Sequence, residues 1–501
     1  MSTLTALARV IAAERGTAQP VCTVRHVHLS DRPLVFIPLA LAGEANAPLA
    51  VMIGEDPQAP RLLVVPEPRD RDQRFAFAAE LAAIVVAYVE SYLTTEETVG
   101  GTNGHDARTR YADAPQLLVP NPAGAAFTRL LGRSTRFRRT EGPYAVAATV
   151  PVLGRWLTFF ADRAEHPASS LMIAMTGALT LHWATGQSQV EDLNLGAILG
   201  WIDPPPGLTG PQAAALAEDP VHCPPAGPAT DPTFDNEVLD PRLLAIRTAK
   251  ATGDGRAMDR AKTALTAALG TQLAPTWTLM WRAVELLRAV PPGNHVTARW
   301  DQDKDAFTWH ANNLRDGGPP QPRRDSAVSA ARRLAGLEKT QAEYAAQRAL
   351  DDPLVMAEYR MTGEAFAGQV IAAEPGRIDA SGRRCVLRPH ITVQTADTVL
   401  AEPGAVLISP ARPSQEARVI SLTPAGDLTK VVLELKGGMG RGLSPGPGSV
   451  PEPGEAACYA SFGDRFQPPP GFPEPEDTPW THGGPPPRYV PSDEDAREAW
   501  S

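Results

Sequence analysis

Lysine is nearly missing from this chain of 501 residues. The first is Lys250, only Lys262, Lys304, Lys339, Lys430 and Lys436 follow, and arginine carries almost all the positive charge. No Gly-Lys pair occurs. That excludes the phosphate loop of a conventional ATPase or GTPase, which needs a lysine after its glycine to reach the β- and γ-phosphates. The sequence also lacks HExxH and CxxC. Its four cysteines, Cys22, Cys223, Cys385 and Cys458, stand far apart, which fits a reducing cytoplasm better than a disulfide framework. The longest apolar runs, near residues 34–43 and 81–89, fall well short of the roughly 20 residues a membrane span needs. The N-terminus MSTLTALARVIAAERG is too polar for the core of a signal peptide. The expectation is a cytoplasmic protein without a membrane partner. A net charge of −10 argues against general coating of nucleic acid but leaves room for local basic patches.

What is present reads as an α+β multidomain chain. Residues 1–120 are expected to form an α/β sandwich. A helix at 4–14 precedes strands at 21–29, 34–41, 49–53 and 61–65, a long amphipathic helix at 71–93 and a short strand at 116–119. Residues 121–322 read as a helical domain, with helices at 123–131, 152–164, 169–185, 236–250, 255–269, 276–290 and 306–315. Residues 323–361 suggest a charged, stalk-like helix. Residues 362–437 switch to a period of two: Val431, Leu433 and Leu435 share one face, and a Pro-Ala-Gly-Asp turn separates two runs. This predicts a small β-barrel. Residues 438–501 are expected to be a disordered, acidic tail. From Gly440 onward, 14 prolines and 9 glycines accompany ten acids and four arginines, a composition that cannot bury enough apolar surface. A chain cut near Gly440 is therefore expected to keep its stability.

The chemistry is sparse. Cys22, His26 and His28 share a parity that would aim them to one face of a strand, but no second ligand cluster accompanies them, so no metal site is assigned. Glu218, Asp219, His222, Cys223, Asp231, Asp235, Glu237 and Asp240 crowd one loop, where capping and turn chemistry explains them better than a metal. Gly442-Leu-Ser-Pro-Gly446 matches GxSxG in form only, because a nucleophile elbow needs a strand before and a helix after. No catalytic residue and no cofactor is assigned. The densest basic cluster, Arg129, Arg133, Arg136, Arg138 and Arg139, has Phe127, Phe137 and Tyr144 among it. Guanidinium forks suit phosphates and aromatic rings stack bases, so this cluster is the candidate for nucleic-acid or phosphate contact.

Three resemblances add to this reading. The N-terminal order of elements is similar to the core of PD-(D/E)xK nucleases. That resemblance implies acids gathered on adjacent strands, and the nearest acids are Glu44, Glu55 and Asp56. The stretch QAEYAAQRALDDPLVMAEYRMTGEAFAGQVI through VVLELKGGMG resembles the stalk and 1B barrel of superfamily-1 helicases, without the motor that would follow. The phrases GRWLTFFADRAEHPASSL, ALTLHWATGQ, LGWIDPPPGLTG and DPTFDNEVLDP resemble those of uncharacterised actinobacterial proteins and imply no activity. The leading expectation is a non-catalytic interaction protein with a protein partner, accessory to a nucleic-acid-processing machine of the helicase type, with nucleic acid as a further partner. The alternatives are a metal-dependent phosphodiesterase or nuclease and a purely structural scaffold.

Overall fold

A computed structural model describes residues 2–44, 46–100, 107–319, 327–382, 385–440, 442–463, 471–473 and 490. The elements used below run in chain order: α1 (Thr3–Arg15), β1 (Leu34–Ala40), β2 (Pro48–Gly54), β3 (Arg61–Val64), α2 (Arg71–Glu90), β4 (Leu117–Val119), α3 (Pro122–Thr135), α4 (Thr149–Ala164), β5 (Met172–Ala174), α5 (Met175–His182), α6 (Gly255–Ala289), α7 (Val296–Arg315), α8 (Ala327–Asp351) and α9 (Pro353–Thr362). After these come β6 (Ala365–Glu374), β7 (His390–Thr395), β8 (Val406–Ser409), β9 (Arg412–Ala425), β10 (Leu428–Lys436) and β11 (Ala456–Ala460). The fold is mixed α/β with a closed barrel toward the C-terminus. Among the described residues, no helix is long and apolar enough to cross a membrane.

Strands β1 to β5 form one sheet in the order β3-β2-β1-β4-β5. β1, β2 and β3 make an antiparallel meander, while β1, β4 and β5 run parallel. Along β1, β4 pairs with Leu34 and Val35 alone, so Pro38, which has no N–H to donate, lies past the end of that pairing. Alternation along the strands splits the side chains between two cores. Leu34, Phe36, Val51, Ile53, Leu117 and Met172 pack with α2, α4 and α7. Val35, Ile37, Ala50, Met52, Leu118 and Ile173 pack with α5 and α6. Both faces are thus covered, which is why the strands read as continuous apolar runs.

This arrangement corrects several expectations. The boundary at residue 120 is crossed by the sheet, since β5 comes from inside the expected helical domain. Much of that segment supplies the layers that cover the sheet. The expected helix at 169–185 holds β5 and α5 in succession. The helices expected at 255–269 and 276–290 are one helix, α6, with Pro275 inside it. Pro275 removes one backbone hydrogen bond, but Leu273, Thr276, Trp277 and Met280 are all buried on either side of it, and that packing carries the helix through. Residues 21–29 form no strand; a single bridge joins Arg25 to Pro292.

Asp352 caps α9, accepting from the Leu354 amide, and Pro353 takes the first helical position. The chain therefore turns a corner between α8 and α9; residues 323–326 of the expected stalk lie outside the described residues. The barrel closes in the order β6-β7-β10-β9-β8-β11. Its β9–β10 hairpin turns through Gly426, whose φ of 68° suits glycine. The closing strand overturns the expected boundary at 437. β11 lies within the segment read as a disordered tail and pairs with both β6 and β8. Met439, Val450, Ala457 and Tyr459 fill the barrel core, and Phe462 packs on Tyr359 with ring centroids 4.3 Å apart. The composition of the tail as a whole concealed this one short apolar run. Beyond Gly463 the tail lies almost entirely outside the described residues.

Candidate functional site

The arginine cluster sits at the C-terminal end of α3 and just beyond it. α3 and α4 approach closely at two glycines: a Cβ on Gly132 would lie 2.8 Å from the Thr158 nitrogen, and one on Gly154 would lie 2.2 Å from the Arg136 nitrogen. Around this contact Arg129, Arg136 and Arg138 are half-buried, whereas Arg133 and Arg139 are exposed, so the five do not share one solvated face. Arg129 donates to the Ala161 carbonyl at 2.7 Å, contacts Glu165, and has Nε 3.7 Å from Asp162. Arg138 donates to the Ser134 carbonyl at 2.7 Å and lies 5.0 Å over the Phe75 ring. Arg136 stacks on Phe137 at 4.6 Å. Arg133 bears on Asp162 and Glu165 through its charge. Arg139 follows in the loop after α3. The structure thus splits the cluster, with Arg129 tied to acids and Arg136 turned into a cleft.

That cleft, of about 280 Å³, is lined by Arg136, Arg155, Asp162, Trp309, His310 and Pro319, among others. Trp309 is 69% exposed. Arg155 donates to the Gly318 carbonyl at 2.8 Å. His310 stacks on Phe159 with centroids 4.3 Å apart and meets the edge of Trp156 at 4.9 Å. Burial, helped by the Arg155 cation, lowers the His310 pKa to about 3, so this imidazole is neutral at physiological pH. Sequence reasoning missed Arg155 and Trp309. The signal was there for Trp309: the buried positions of α7 include 300, 304, 307 and 311, and 309 falls off that stripe.

The acids implied by the nuclease resemblance do not converge. Glu44 pairs with Arg69 at 2.9 Å and Glu55 with Arg32 at 2.8 Å, at opposite ends of β2. Asp56 accepts from the Gln58 amide at 2.9 Å. In the acidic loop, Asp219 pairs with His222 at 2.8 Å, and Asp231 caps the turn at Pro232–Phe234. Ser444 lies in a loop with neither strand nor helix beside it.

Cys22 and His26 do come together, but through irregular backbone, and with Asp352 in place of His28. Donor atoms of these three buried residues all lie within 4.8 Å of one another. His28 is instead stacked on Trp300 at 3.9 Å. The Cys22 thiol donates to the Leu181 carbonyl at 3.2 Å, and burial pushes its pKa up to about 11, which makes it a poor nucleophile. Burial lowers the pKa of His26. Burial raises that of Asp352, but His26 beside it and the amides of Thr23, Leu354 and Val24 outweigh this and hold the carboxyl well below its usual range. His182 donates from Nδ1 to the Ala178 carbonyl at 2.6 Å, which leaves its Nε2 to accept the His26 amide at 3.0 Å. Compared with known proteins, the chain matches no family model, no curated protein and no solved structure.

Proposed function

We propose that this protein is a non-catalytic, cytoplasmic interaction protein, accessory to a nucleic-acid-processing machine, and that it holds single-stranded nucleic acid in the cleft between α4 and α7. In this reading the sheet-and-helix body and the barrel are separate domains. The observation that carries the proposal is Trp309, 69% exposed on a cleft that also presents Arg136 and Arg155. An exposed indole gives a base a stacking platform, and guanidinium groups beside it suit the phosphates. Charge supports the same reading: residues 129–165 contain seven arginines and three acids, a positive island on a chain of net charge −10. The accessory role draws on the corner of α8 and α9, which carries a closed barrel and no phosphate loop. The nuclease alternative loses support, because acids that would hold a metal sit at opposite ends of β2 and both sheet faces are apolar.

The test is fluorescence anisotropy with labelled single-stranded DNA and RNA at low salt. Trp309→Ala should weaken binding by about 1–3 kcal/mol, the range for one stacked base. Arg136→Ala with Arg155→Ala should weaken binding and flatten its dependence on log salt by about 0.7 for each phosphate no longer neutralised. Absence of saturable binding at low salt, or unchanged affinity in both variants, would overturn the reading and favour a structural scaffold.

A further inference from the structure

We propose that Cys22 Sγ, one ring nitrogen of His26 and one carboxylate oxygen of Asp352 bind a single divalent transition-metal ion of the zinc class, which pins the N-terminal segment to the corner between α8 and α9. This goes beyond the nucleic-acid reading and does not rest on it.

Four observations carry the proposal. The first is the donor set. Thiolate, imidazole and carboxylate together suit a borderline-soft dication, and the three donor atoms lie within 4.8 Å of one another. The second is His26 itself. Its side chain is 0% exposed, yet neither ring nitrogen has a hydrogen-bond partner among the described residues. A buried imidazole normally satisfies both nitrogens, and a metal ion would satisfy one of them. The third is spacing. His26 Nε2 stands 3.7 Å from Asp352 Oδ2, too far for a hydrogen bond. Two ligands held about 2.1 Å from a tetrahedral ion stand roughly 3.4 Å apart, so the imidazole and the carboxylate group already stand near ligand-to-ligand separation. The fourth is the capacity left on Asp352. An ionised carboxylate has about four lone-pair directions. The Thr23 and Val24 amides both take Oδ2, at 2.5 and 3.1 Å, and the Leu354 amide takes one direction of Oδ1, at 2.9 Å, which leaves one lone pair on Oδ1 for the ion.

One thiolate and one carboxylate offset the charge of a dication, the Arg348 guanidinium beside Cys22 adds one further positive charge, and the thiol proton is released to solvent on binding. The location argues for a structural role. Cys22 packs in one apolar cluster with Ala349, Val355 and Met356 from the corner, and with Ala365 and Ala460 from the barrel strands β6 and β11. An ion here would therefore tie two distant parts of the chain together beside the barrel, in a place closed to substrate.

Cobalt(II) is the probe, titrated into full-length protein that has been stripped with chelator and shown by circular dichroism to be folded. The expected result is one equivalent bound, with a thiolate-to-cobalt charge-transfer band in the near ultraviolet and visible bands of tetrahedral intensity. Cys22→Ser should abolish the charge-transfer band. Cys385→Ser, at an exposed position, should leave it unchanged. His26→Gln and Asp352→Asn should each lower affinity by at least about tenfold. Zinc should raise the melting temperature of the wild type and not that of Cys22→Ser. Should Cys22→Ser fail to fold, the wild-type spectrum beside that of Cys385→Ser still decides. A folded, stripped wild type that shows no such band, or a band that survives in Cys22→Ser, overturns the proposal.

Discussion

A chain that stops at Gly440 should lose its barrel, whereas one that stops at Gly463 should keep it. The shorter chain lacks β11. That strand pairs with β6 from Ala365↔Ala460 to Gln369↔Ala456 and touches β8 through Ile408↔Ala460, so its removal opens the barrel between β6 and β8. Tyr459 is 1% exposed and lies 6.0 Å from Phe366 between ring centroids. Losing a buried aromatic side chain costs about 3–5 kcal/mol. Val450, 8% exposed, adds about 1.5–3 kcal/mol, and each ladder hydrogen bond removed adds about 0.5–1.5 kcal/mol. The total exceeds about 5 kcal/mol, which already reaches the range of a whole domain's stability.

Hydrogen–deuterium exchange is the suitable assay, because the barrel residues 365–463 contain no tryptophan. Amides of β7 and β10 should exchange at near-unfolded rates in the chain ending at Gly440 and stay protected in the chain ending at Gly463. Equal protection in the two would refute the argument and show that β11 is incidental to closure. A finer comparison separates packing from polarity. Tyr459→Ala should unfold the barrel or weaken it by about 3–5 kcal/mol. Tyr459→Phe should be neutral or stabilising, since the buried hydroxyl has no partner among the described residues.

Two further outcomes follow from the body of the protein. Asp303, 1% exposed, accepts from Arg163 at 2.8 Å, from the Ser169 hydroxyl at 2.7 Å and from the Ser170 amide at 2.6 Å. Asp303→Ala should therefore cost about 3 kcal/mol in urea unfolding, and a loss under about 1 kcal/mol would show that these donors find other partners. His310 has a folded pKa lowered to about 3 against an ordinary value of 6.5, so the unfolded chain takes the proton first as pH falls. Its contribution is complete above about pH 6.5 and is lost progressively down to about pH 3, at up to roughly 1.4 kcal/mol per pH unit. His310→Gln should flatten the acid limb of the stability curve by up to one proton; an unchanged slope would place that proton uptake elsewhere.

The sheet and the barrel were legible in the sequence because both depend on local periodicity. The apolar runs at 34–41 and 49–53, bounded by turn residues, read as strands, and the alternation of Val431, Leu433 and Leu435 marked one face of β10. What escaped was set by partners distant in the chain. Nothing in Met172–Ala174 marks three residues as the last strand of a sheet begun at Leu34; they become one because β4 offers an open edge beside them. Ala456–Ala460 was hidden in the same way, as five residues inside 62 of Pro/Gly-rich composition.

The two candidate sites show the same division. The arginine cluster was visible as a run, but the sequence could not show that Gly132 and Gly154 would draw α3 onto α4. That packing leaves Arg129 bound to acids and puts Arg136 beside Arg155 and Trp309. Cys22 and His26 were singled out on the assumption of a strand, which predicted His28 as their companion. Irregular backbone keeps the first two together, sends His28 to Trp300 and brings in Asp352 from the cap of α9, 326 residues beyond His26. No spacing rule reaches across such a separation. Only the tertiary corner between α8 and α9, where the carboxylate is fixed by three backbone amides, puts the third donor in place. A site assembled this way should report on the fold as a whole: metal affinity should fall in any variant that loosens the corner, even when all three donor residues are intact.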